Sequence, residues 1–242
     1  MLLTINGLET EVHYDHHAID DVMVPTLRRW ISDTQDGRRH YAFLAAPPGA
    51  GKSTLAVLLE TALRPELQCV GLDGFHLPQA FLETTTIPDH DGRQITMAEI
   101  KGAPETFDVP SLTETLERGR TRDIMWPWYD RSIHDVVPEG SRLISRHVLV
   151  EGNWLLLDEP GWRELRSLAD LTIFLSAPEQ LLRNRLITRK IQGGMSREAA
   201  GIFYQRTDGP NVRRSLDHSL NSGVDLILTM DENGAIHERN PQ

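Results

Sequence analysis

The stretch Ala46-Pro-Pro-Gly-Ala-Gly-Lys-Ser-Thr54 follows the apolar run Tyr41-Ala-Phe-Leu-Ala45 and precedes an amphipathic segment that begins at Leu55. A strand, a glycine-rich turn and a helix start in this order form a phosphate-binding loop, whose backbone N–H groups converge on an anion. The full pattern is Gly-x-x-x-x-Gly-Lys-Ser/Thr, and the chain departs from it only at Ala46. We therefore favour nucleotide binding over a glycine-rich turn that ends in Lys-Ser by coincidence.

Each residue of this loop has a candidate role. Lys52 places a positive charge near the β- and γ-phosphate oxygens, and the Ser53 hydroxyl is a suitable Mg²⁺ ligand. The two prolines lack N–H groups and stiffen the loop. The candidate nucleotide-binding residues are Ala46, Pro47, Pro48, Gly49, Ala50, Gly51, Lys52, Ser53 and Thr54.

The composition is that of a soluble globular protein, with 242 residues of which 39% are hydrophobic and 25% charged. No apolar stretch approaches the roughly 20 residues that span a bilayer. Residues 1–7 lack the basic region and the cleavage site of a signal peptide. The one cysteine, Cys69, lies in an apolar run, where a buried thiol is expected. We predict a cytoplasmic protein without a membrane partner.

The formal net charge of −10 argues against a nucleic-acid partner. Charge is unevenly spread, because residues 179–214 carry eight cations and three anions. A basic segment in an acidic protein indicates a small anionic ligand, although some of these residues form a solvated helix face. The oligomeric state is not fixed by the sequence, and a homodimer stays open.

Strand-like and helix-like segments alternate along the chain, which predicts a three-layer α/β sandwich of the P-loop NTPase type with a mainly parallel five-stranded sheet. The predicted strands are 41–46, 68–73, 147–151, 171–176 and 224–230. The predicted helices are 52–63, 109–119, 178–192 and 196–205, with Asp108 as the cap of the second. Asn6-Gly7 predicts a hairpin within residues 2–14, and residues 224–237 predict another.

We predict one domain over residues 1–242. Residues 1–38 hold the N-terminal hairpin and a helix. Residues 77–106 and 121–146 are too irregular for the wound core, and we interpret the region 77–146 as the binding site of an acceptor. Residues 178–214 are interpreted as a lid, for which Gly193-Gly194 is either a hinge or a helix C-cap.

Acidic residues follow two of the predicted strands. Asp73 ends the second strand, beside the phosphate-binding loop, where a carboxylate can accept the proton of a nucleophile or cap the following turn. His76 is a candidate for substrate binding or for a structural role. Glu151 ends the third strand after apolar residues, as in a Walker B element, whose acid reaches Mg²⁺ directly or through water.

Two arginines of the predicted lid lie on one helix face. Arg185 and Arg189 are four residues apart, so both could reach a nucleotide from the same side. A guanidinium that stabilises a transferring phosphoryl group contributes about 10³–10⁵ in rate, far more than a surface ion pair. We therefore predict a catalytic role for Arg185 and Arg189 together with Lys52 and Asp73.

These motifs together resemble the phosphoribulokinase/uridine kinase family, which includes bacterial-type pantothenate kinase and a branch of nucleoside kinase-like or fructose-transport kinase proteins. The matching segments are Lys52, Asp73-Gly-Phe-His76, Lys101-Gly-Ala-Pro-Glu-Thr-Phe-Asp108, Pro127-Trp-Tyr-Asp-Arg-Ser-Ile-His134 and Val150-Glu-Gly-Asn153. The resemblance runs from about residue 40 to residue 230. Residues 77–100 match no acceptor-specific pattern of the family.

The resemblance implies roles for individual residues. It implies that Asp73 is the base toward the acceptor hydroxyl, that Glu151 is the acid near Mg²⁺ and that Arg189, or else Arg185, is the lid arginine. It implies an acceptor pocket lined by Lys101, Tyr129, Arg131 and His134. The segment Asp208-Gly-Pro-Asn211 resembles a family segment near the acceptor or the lid, and Asn211 is assigned no role.

The sequence thus predicts an ATP-dependent and Mg²⁺-dependent kinase that phosphorylates a hydroxyl of a sugar, a nucleoside or a pantothenate-like alcohol. One alternative is a nucleotide-driven switch or assembly ATPase, which needs an ordered water instead of an acceptor pocket. Another is a nucleoside monophosphate kinase, which needs no carboxylate base.

Overall fold

The computed structural model describes residues 2–5, 8–11, 17–89, 91–130, 132–220 and 222–239. Its strands are β1 (Leu2–Ile5), β2 (Leu8–Glu11), β3 (His40–Ala45), β4 (Leu67–Gly71), β5 (Thr86–Pro88), β6 (Gln94–Thr96), β7 (Ile124–Asp130), β8 (Asp135–Leu143), β9 (His147–Gly152), β10 (Leu171–Ser176), β11 (Leu226–Met230) and β12 (Ile236–Glu238). Its α-helices are α1 (Val24–Asp33), α2 (Lys52–Leu63), α3 (Gln79–Thr84), α4 (Val109–Gly119), α5 (Glu179–Gln192), α6 (Arg197–Phe203) and α7 (Gly209–His218). Across these ranges, none of the helices has the length and apolar character needed to cross a membrane.

One central sheet organises the fold, with strand order β12-β11-β10-β3-β9-β4. The pairs β11–β10, β10–β3, β3–β9 and β9–β4 are parallel, and β12 adds an antiparallel edge. The five predicted strands are confirmed as the parallel part of this sheet. The sheet has six strands instead of five because the second arm of the predicted C-terminal hairpin joins its edge.

Both faces of the sheet are buried, which explains why its strands are apolar without alternation. Along β3, Ala42 and Leu44 belong to one core cluster, whereas Tyr41 and Phe43 belong to the other. The first cluster joins the sheet to α1, α2 and α5, and the second joins it to α4 and the β7–β8 hairpin. The predicted three-layer α/β architecture is confirmed.

Helix boundaries follow local sequence signals. The predicted helices 52–63 and 109–119 coincide with α2 and α4, and α5 begins one residue later than predicted. The start of α4 is fixed by the Asp108 carboxylate, which accepts a hydrogen bond from the Ser111 backbone N–H at 3.0 Å.

The segment after α6 differs from the prediction. The predicted helix 196–205 is α-helical only to Phe203, continues as a π-helical turn to Asp208 and leads into α7. Helix α7 was not predicted. Pro210 is compatible with it because it occupies the first turn, where a backbone N–H has no acceptor within the helix.

Residues 121–146 lie outside the central sheet, as predicted, but they are regular, because they form the antiparallel β7–β8 hairpin. Two prolines obscured the strand pattern. Pro127 lies at a register shift between Trp126 and Trp128, and Pro138 lies within β8. Proline is tolerated at a bulge or on an edge, where the strand ladder does not need its N–H.

The other irregular stretch, 77–106, also contains short regular elements. It holds α3, the antiparallel β5–β6 hairpin and 3-10 turns at Met97–Ile100 and Pro104–Thr106. The predicted N-terminal hairpin is confirmed as the β1–β2 pair. Its predicted turn at Asn6-Gly7 lies outside the described residues.

Three neighbouring strands bring their carboxyl ends together at one edge of the sheet. Gly71 of β4 pairs with Glu151 of β9, and Ala45 of β3 pairs with Gly152 of β9. The loops after β3 and β4 therefore begin on either side of Glu151. This juxtaposition results from the strand order. Among the strands of this sheet, β4 follows β3 in the sequence, and β9 lies between the two.

Two glycines allow close packing at this edge. A Cβ at Gly152 would lie 2.5 Å from the Leu72 Cβ, and a Cβ at Gly74 would lie 2.0 Å from the Pro127 carbonyl oxygen. Neither position has room for a side chain. The 3-10 turn Leu72–Phe75 is therefore held between the end of β9 and the β7–β8 hairpin.

The substitution Gly152→Ala should destabilise the protein by about 1–3 kcal/mol, because the new methyl group overpacks against Leu72. The matched control is Gly201→Ala in α6, where a Cβ would meet nothing within 4 Å. Its stability should stay unchanged or rise slightly through helix propensity. Urea unfolding of both variants checks the expectation, and equal stabilities would contradict the close approach at Gly152.

A pair of buried histidines lies at the opposite, amino-terminal edge of the sheet. His40 starts β3 and His147 starts β9, and their rings are stacked with centroids 5.8 Å apart. His40 lies between the Asp36 and Asp170 carboxylates, at 2.8 Å and 3.3 Å. The Thr34 hydroxyl lies 3.0 Å from His147 Nε2. Burial lowers the pKa of His147 below its ordinary value of 6.5.

The substitution His147→Gln should weaken the dependence of stability on pH. Because the folded-state pKa of His147 is lowered, the unfolded chain takes up this proton more readily, so wild-type stability falls as the pH drops below about 6.5. Glutamine does not titrate and can keep a hydrogen bond to Thr34. The decrease in Tm between about pH 7.5 and about pH 5.5 should be smaller in the variant. An equal decrease in both proteins would contradict this role.

Candidate active site

The loop between β3 and α2 has the backbone of an anion cradle. Gly49 and Gly51 adopt left-handed conformations, with φ of 84° and 91°. Leu55 donates its backbone N–H to the Gly51 carbonyl at 3.0 Å, at the start of α2. The backbone N–H groups that precede Leu55 therefore have no acceptor within the helix. Ala46, the departure from the glycine pattern, is wholly buried. An alanine methyl group is therefore accommodated inside the core at this position.

The phosphate-binding loop packs against α5. A Cβ at Gly49 would lie 3.1 Å from the Leu186 Cγ and 3.4 Å from the Leu182 carbonyl oxygen. A left-handed φ and this close neighbour both favour glycine at position 49. The loop therefore rests on the same helix that carries the predicted lid arginines.

The predicted metal-holding residues Ser53 and Glu151 are in direct contact. The Ser53 hydroxyl, in the first turn of α2, donates a hydrogen bond to the Glu151 Oε1 at 2.7 Å. A hydroxyl oxygen at the start of α2 and a carboxylate oxygen at the end of β9 are hard oxygen ligands of the type that Mg²⁺ prefers. This pair therefore fits a small divalent cation next to a phosphate-binding loop.

Asp73 lies close to this pair. The sequence predicted this residue at the tip of a strand, but in the structure it lies beyond the end of the strand. Strand β4 ends at Gly71, and Asp73 is in the 3-10 turn Leu72–Phe75. A Cβ at Gly71, two residues before Asp73, would lie 3.5 Å from Glu151 Oε1. Asp73 and Glu151 line one cavity of about 480 Å³, which we name the first cavity. Its other walls are the end of β4 and the β7–β8 hairpin.

The first cavity also contains Cys69, which the sequence predicted to be a buried thiol. Burial raises the pKa of Cys69 well above its ordinary value, and the charges of Glu60 and Glu151 act in the same direction. A thiol held in its protonated form is a poor nucleophile. Cys69 is only half-buried, so the predicted burial is met in part, and the residue forms part of the cavity wall.

Three of the predicted acceptor-binding residues cluster around one ammonium group. Lys101 Nζ donates to Gln79 Oε1 at 2.6 Å and to the His134 carbonyl oxygen at 3.1 Å, and it lies 4.6 Å from the centre of the Tyr129 ring. Tyr129 also lines the first cavity. His134 enters the cluster through its backbone, with a left-handed φ of 55°. Arg131 lies outside the described residues.

His76 packs beside the same cluster. Its ring is 3.9 Å from the Phe107 ring and 5.5 Å from the Tyr129 ring, centre to centre. Its Nδ1 lies 2.9 Å from the Asp73 carbonyl oxygen. These contacts join the turn that holds Asp73 to the predicted acceptor segments, which is the structural alternative considered for this histidine.

The two predicted lid arginines have different surroundings. Arg185 is partly buried, and its Nη1 contacts the Gly49 carbonyl oxygen at 3.4 Å and the Met230 sulfur at 3.0 Å. Burial lowers the pKa of Arg185. Arg189, one turn further along α5, is exposed. Burial raises the pKa of Asp208, and the positive charges of Lys190 and Arg189 oppose that rise.

Gly193 closes α5 as its C-cap. Its backbone N–H donates to the Arg189 carbonyl at 3.0 Å, and Gly194 follows with a left-handed φ of 97°. This is the C-cap that the sequence offered as the alternative to a hinge. Any hinge motion at Gly193-Gly194 stays a prediction.

Two tryptophans that the sequence analysis did not single out hold the site together. The Trp126 indole N–H donates to the Gly71 carbonyl at 2.9 Å, and the Trp154 indole N–H donates to the Gly102 carbonyl at 3.0 Å. Both side chains are buried. They anchor the two segments that carry Asp73 and Lys101. Their position directly after or within apolar runs was the available sequence signal.

Comparison with known proteins places this geometry in a family. The family model described as "Phosphoribulokinase / Uridine kinase family" matches residues 43–207. The uncharacterized protein YggC of Escherichia coli (strain K12) is 43% identical over 242 residues, covering 97% of each chain. A pantothenate kinase of Sodalis glossinidius is 30% identical over 188 residues, which cover 70% of this chain and 56% of that enzyme.

Solved structures share the fold. A protein of Silicibacter sp. TM1040, provisionally named a fructose transport system kinase, superimposes with a TM-score of 0.73 at 28% identity over 84% of this chain and 98% of that one. A D-glycerate 3-kinase of Cryptococcus neoformans superimposes with a TM-score of 0.59 at 14% identity, over 90% of this chain and 99% of that one, and shows the fold alone. The fold is that of P-loop kinases, and the chain belongs to the phosphoribulokinase/uridine kinase family.

Proposed function

We propose that this protein is an ATP-dependent kinase that transfers the γ-phosphate to an alcohol hydroxyl of a small molecule. The observation that carries the proposal is the edge of the sheet at which the phosphate-binding loop, Glu151 and Asp73 follow three adjacent strands. Family membership supports a P-loop kinase that uses ATP and Mg²⁺. The first cavity, which Asp73 and Glu151 share, supports a space for an acceptor beside the loop.

The nucleotide side of the site has defined parts. The loop 46–54 would hold the phosphates, with the left-handed Gly49 and Gly51 turning backbone N–H groups inward. Mg²⁺, when bound, neutralises phosphate charge, and Ser53 and Glu151 would hold it. Lys52 would contribute a further positive charge near the terminal phosphates.

Asp73 would orient the acceptor hydroxyl and accept its proton. Phosphoryl transfer depends mainly on positioning and charge stabilisation, so a carboxylate fixed between two packed elements suits this task. The glycines Gly152 and Gly74 permit that fixed position. Arg189 and Arg185 on α5 would stabilise the charge of the transferred group, and the contact of Arg185 with Gly49 brings its guanidinium to the loop.

The acceptor would bind against the segments that carry Lys101, Tyr129 and His134. The Lys101 ammonium joins these segments, and an acceptor carboxylate or phosphate would gain from its charge. The relatives include proteins named pantothenate kinase and, provisionally, fructose transport system kinase, so their names refer to different alcohols. We therefore propose a sugar, a nucleoside or a pantothenate-like alcohol as the acceptor class.

A nucleotide-driven switch is the main rival. Such a protein hydrolyses ATP with an ordered water and needs no acceptor cavity. The cavity of about 480 Å³ beside Asp73 favours the kinase. A nucleoside monophosphate kinase would phosphorylate a phosphate and would not need Asp73 as a base.

A screen of purified protein with ATP, Mg²⁺ and a metabolite library tests the proposal directly. A kinase adds one phosphate to a member of the library, which mass spectrometry detects as a mass gain. A switch instead shows slow ATP hydrolysis that no alcohol accelerates, and that outcome would overturn the proposal.

The substitution Asp73→Asn should then lower kcat toward the identified acceptor by about 10²–10⁴, because a general base is lost. ATP affinity, measured by titration calorimetry, should barely change. Asp33→Asn is the matched control, because Asp33 is an exposed carboxylate at the end of α1. Full turnover in Asp73→Asn, or loss of its ATP binding, would show that Asp73 is structural.

A further inference from the structure

Arg185, halfway along α5, is partly buried and has no carboxylate beside it. Over the part of the chain that the structure describes, it forms no ion pair, and burial lowers the pKa of its guanidinium. Its Nη1 lies 3.4 Å from the Gly49 carbonyl oxygen of the phosphate-binding loop and 3.0 Å from the Met230 sulfur. A thioether sulfur is only a weak acceptor, so the positive charge stays uncompensated. Burying such a charge is costly, which indicates that an anion at the loop balances it.

The β11–β12 turn, residues 231–235, approaches the same guanidinium. A Cβ at Gly234 would lie 3.0 Å from Arg185 Nη2, and Gly234 has a left-handed φ of 88°. The turn is ordered by the Asp231 carboxylate, which accepts two backbone hydrogen bonds within it, at 2.8 Å and 3.0 Å. The guanidinium therefore contacts the phosphate-binding loop through Nη1 and is closely approached by a fixed turn at Nη2.

The contact of Arg185 with Gly49 restrains one peptide group of the loop. The carbonyl and the N–H of a trans peptide point in opposite directions. The Gly49 carbonyl faces Arg185, and the Ala50 N–H of the same trans peptide donates to the Pro47 carbonyl at 3.3 Å. Both ends of this peptide group are therefore held, one by the guanidinium and the other within the loop. The N–H groups that follow, at the start of α2, thereby keep their direction toward an anion.

The two arginines of α5 are suited to different tasks. Arg189 is exposed, so its side chain is able to reach a nucleotide from outside. Arg185 is instead packed against the loop that would hold the phosphates. An arginine that touches only the transferred phosphoryl group affects the binding of ATP and leaves that of ADP unchanged. An arginine that shapes the loop affects both nucleotides, because ATP and ADP share the α- and β-phosphates.

We propose that Arg185 is a positioning residue of the phosphate-binding loop and that the β11–β12 turn holds it there. This inference rests on the proposed nucleotide site and adds to the charge role proposed for Arg185 above. The guanidinium restrains the peptide group between Gly49 and Ala50, and its uncompensated charge attracts the phosphates that ATP and ADP share. The turn acts through Arg185, because Gly234 leaves free the space that Nη2 occupies.

Titration calorimetry of the full chain, with Mg²⁺ and either ADP or a non-hydrolysable ATP analogue, tests the role of Arg185. Arg185→Gln should weaken the binding of both ligands by similar factors of at least about tenfold, as expected for loss of a charged interaction. Arg183→Gln, at an exposed arginine of the same helix, is the matched control and should change both by less than about twofold. Unchanged ADP binding in Arg185→Gln would overturn the proposal.

A conservative variant separates positioning from a loss of structure. Arg185→Lys keeps the positive charge and should lose at least about threefold less ADP affinity than Arg185→Gln. Urea unfolding should show similar stabilities for the two variants, so that the difference in affinity has a local cause. Equal losses of affinity in Arg185→Lys and Arg185→Gln would show that the charge plays no part, and would overturn the proposal.

A matched pair of glycines tests the role of the β11–β12 turn. Gly234 and Gly223 both have a left-handed φ, which asparagine tolerates, but a Cβ at Gly223 would meet nothing within 4 Å. Gly234→Asn displaces the Arg185 guanidinium and should weaken ADP binding by at least about threefold, whereas Gly223→Asn should change it by less than about twofold. In the Arg185→Gln background, Gly234→Asn should cause no further loss. Equal effects of the two asparagines, or full additivity, would overturn the role of the turn.

The outcomes distinguish this inference from the proposed kinase. A wild-type chain that binds neither ligand would overturn the proposed nucleotide site and, with it, the role of Arg185. A wild-type chain that binds both ligands, with variants that bind them equally well, would overturn this inference alone. If Arg185→Gln fails to fold, Gly234→Asn and its control still decide, because unchanged ADP binding in Gly234→Asn would overturn the proposal.

Discussion

The 2.7 Å hydrogen bond from Ser53 to Glu151 connects the parts on which the candidate active site depends. Ser53 lies in the first turn of the helix after the phosphate-binding loop, and Glu151 ends a strand nearly 100 residues later. The bond exists because β9 pairs with β3 along six residues, which fixes the height of Glu151 relative to the loop. A shift of one residue in this register would turn the carboxylate to the other face of the sheet.

Close backbone packing gives the short motifs their physical meaning. The glycine after Asp73 and the glycine after Glu151 both stand where a Cβ would collide with a neighbouring segment. They therefore let the turn that carries Asp73 lie against the end of β9 and the β7–β8 hairpin. Trp126 secures the same turn through the Gly71 carbonyl. In each motif the acidic residue provides the carboxylate, and the glycine that follows it allows the close packing that positions this carboxylate.

Arginines in this protein differ by their partners more than by their number. Arg185 is partly buried against the phosphate-binding loop, and Arg214 is neutralised by two glutamates, whose hydrogen bonds raise its pKa. Arg206, in contrast, is exposed. The basic character of residues 179–214 is therefore divided among separate tasks. Only the neighbours of each guanidinium reveal which task it can perform.

The phosphate-binding loop, the five parallel strands and the helices 52–63 and 109–119 could be predicted from the sequence, because backbone propensity, capping and buried apolar runs are local signals. The sequence also named Ser53, Asp73 and Glu151, since each stands in a short motif. The strand order that gathers them, the β7–β8 hairpin behind Pro127 and helix α7 became evident only in the folded chain. These features depend on contacts between residues far apart in the chain, which local sequence patterns do not reveal.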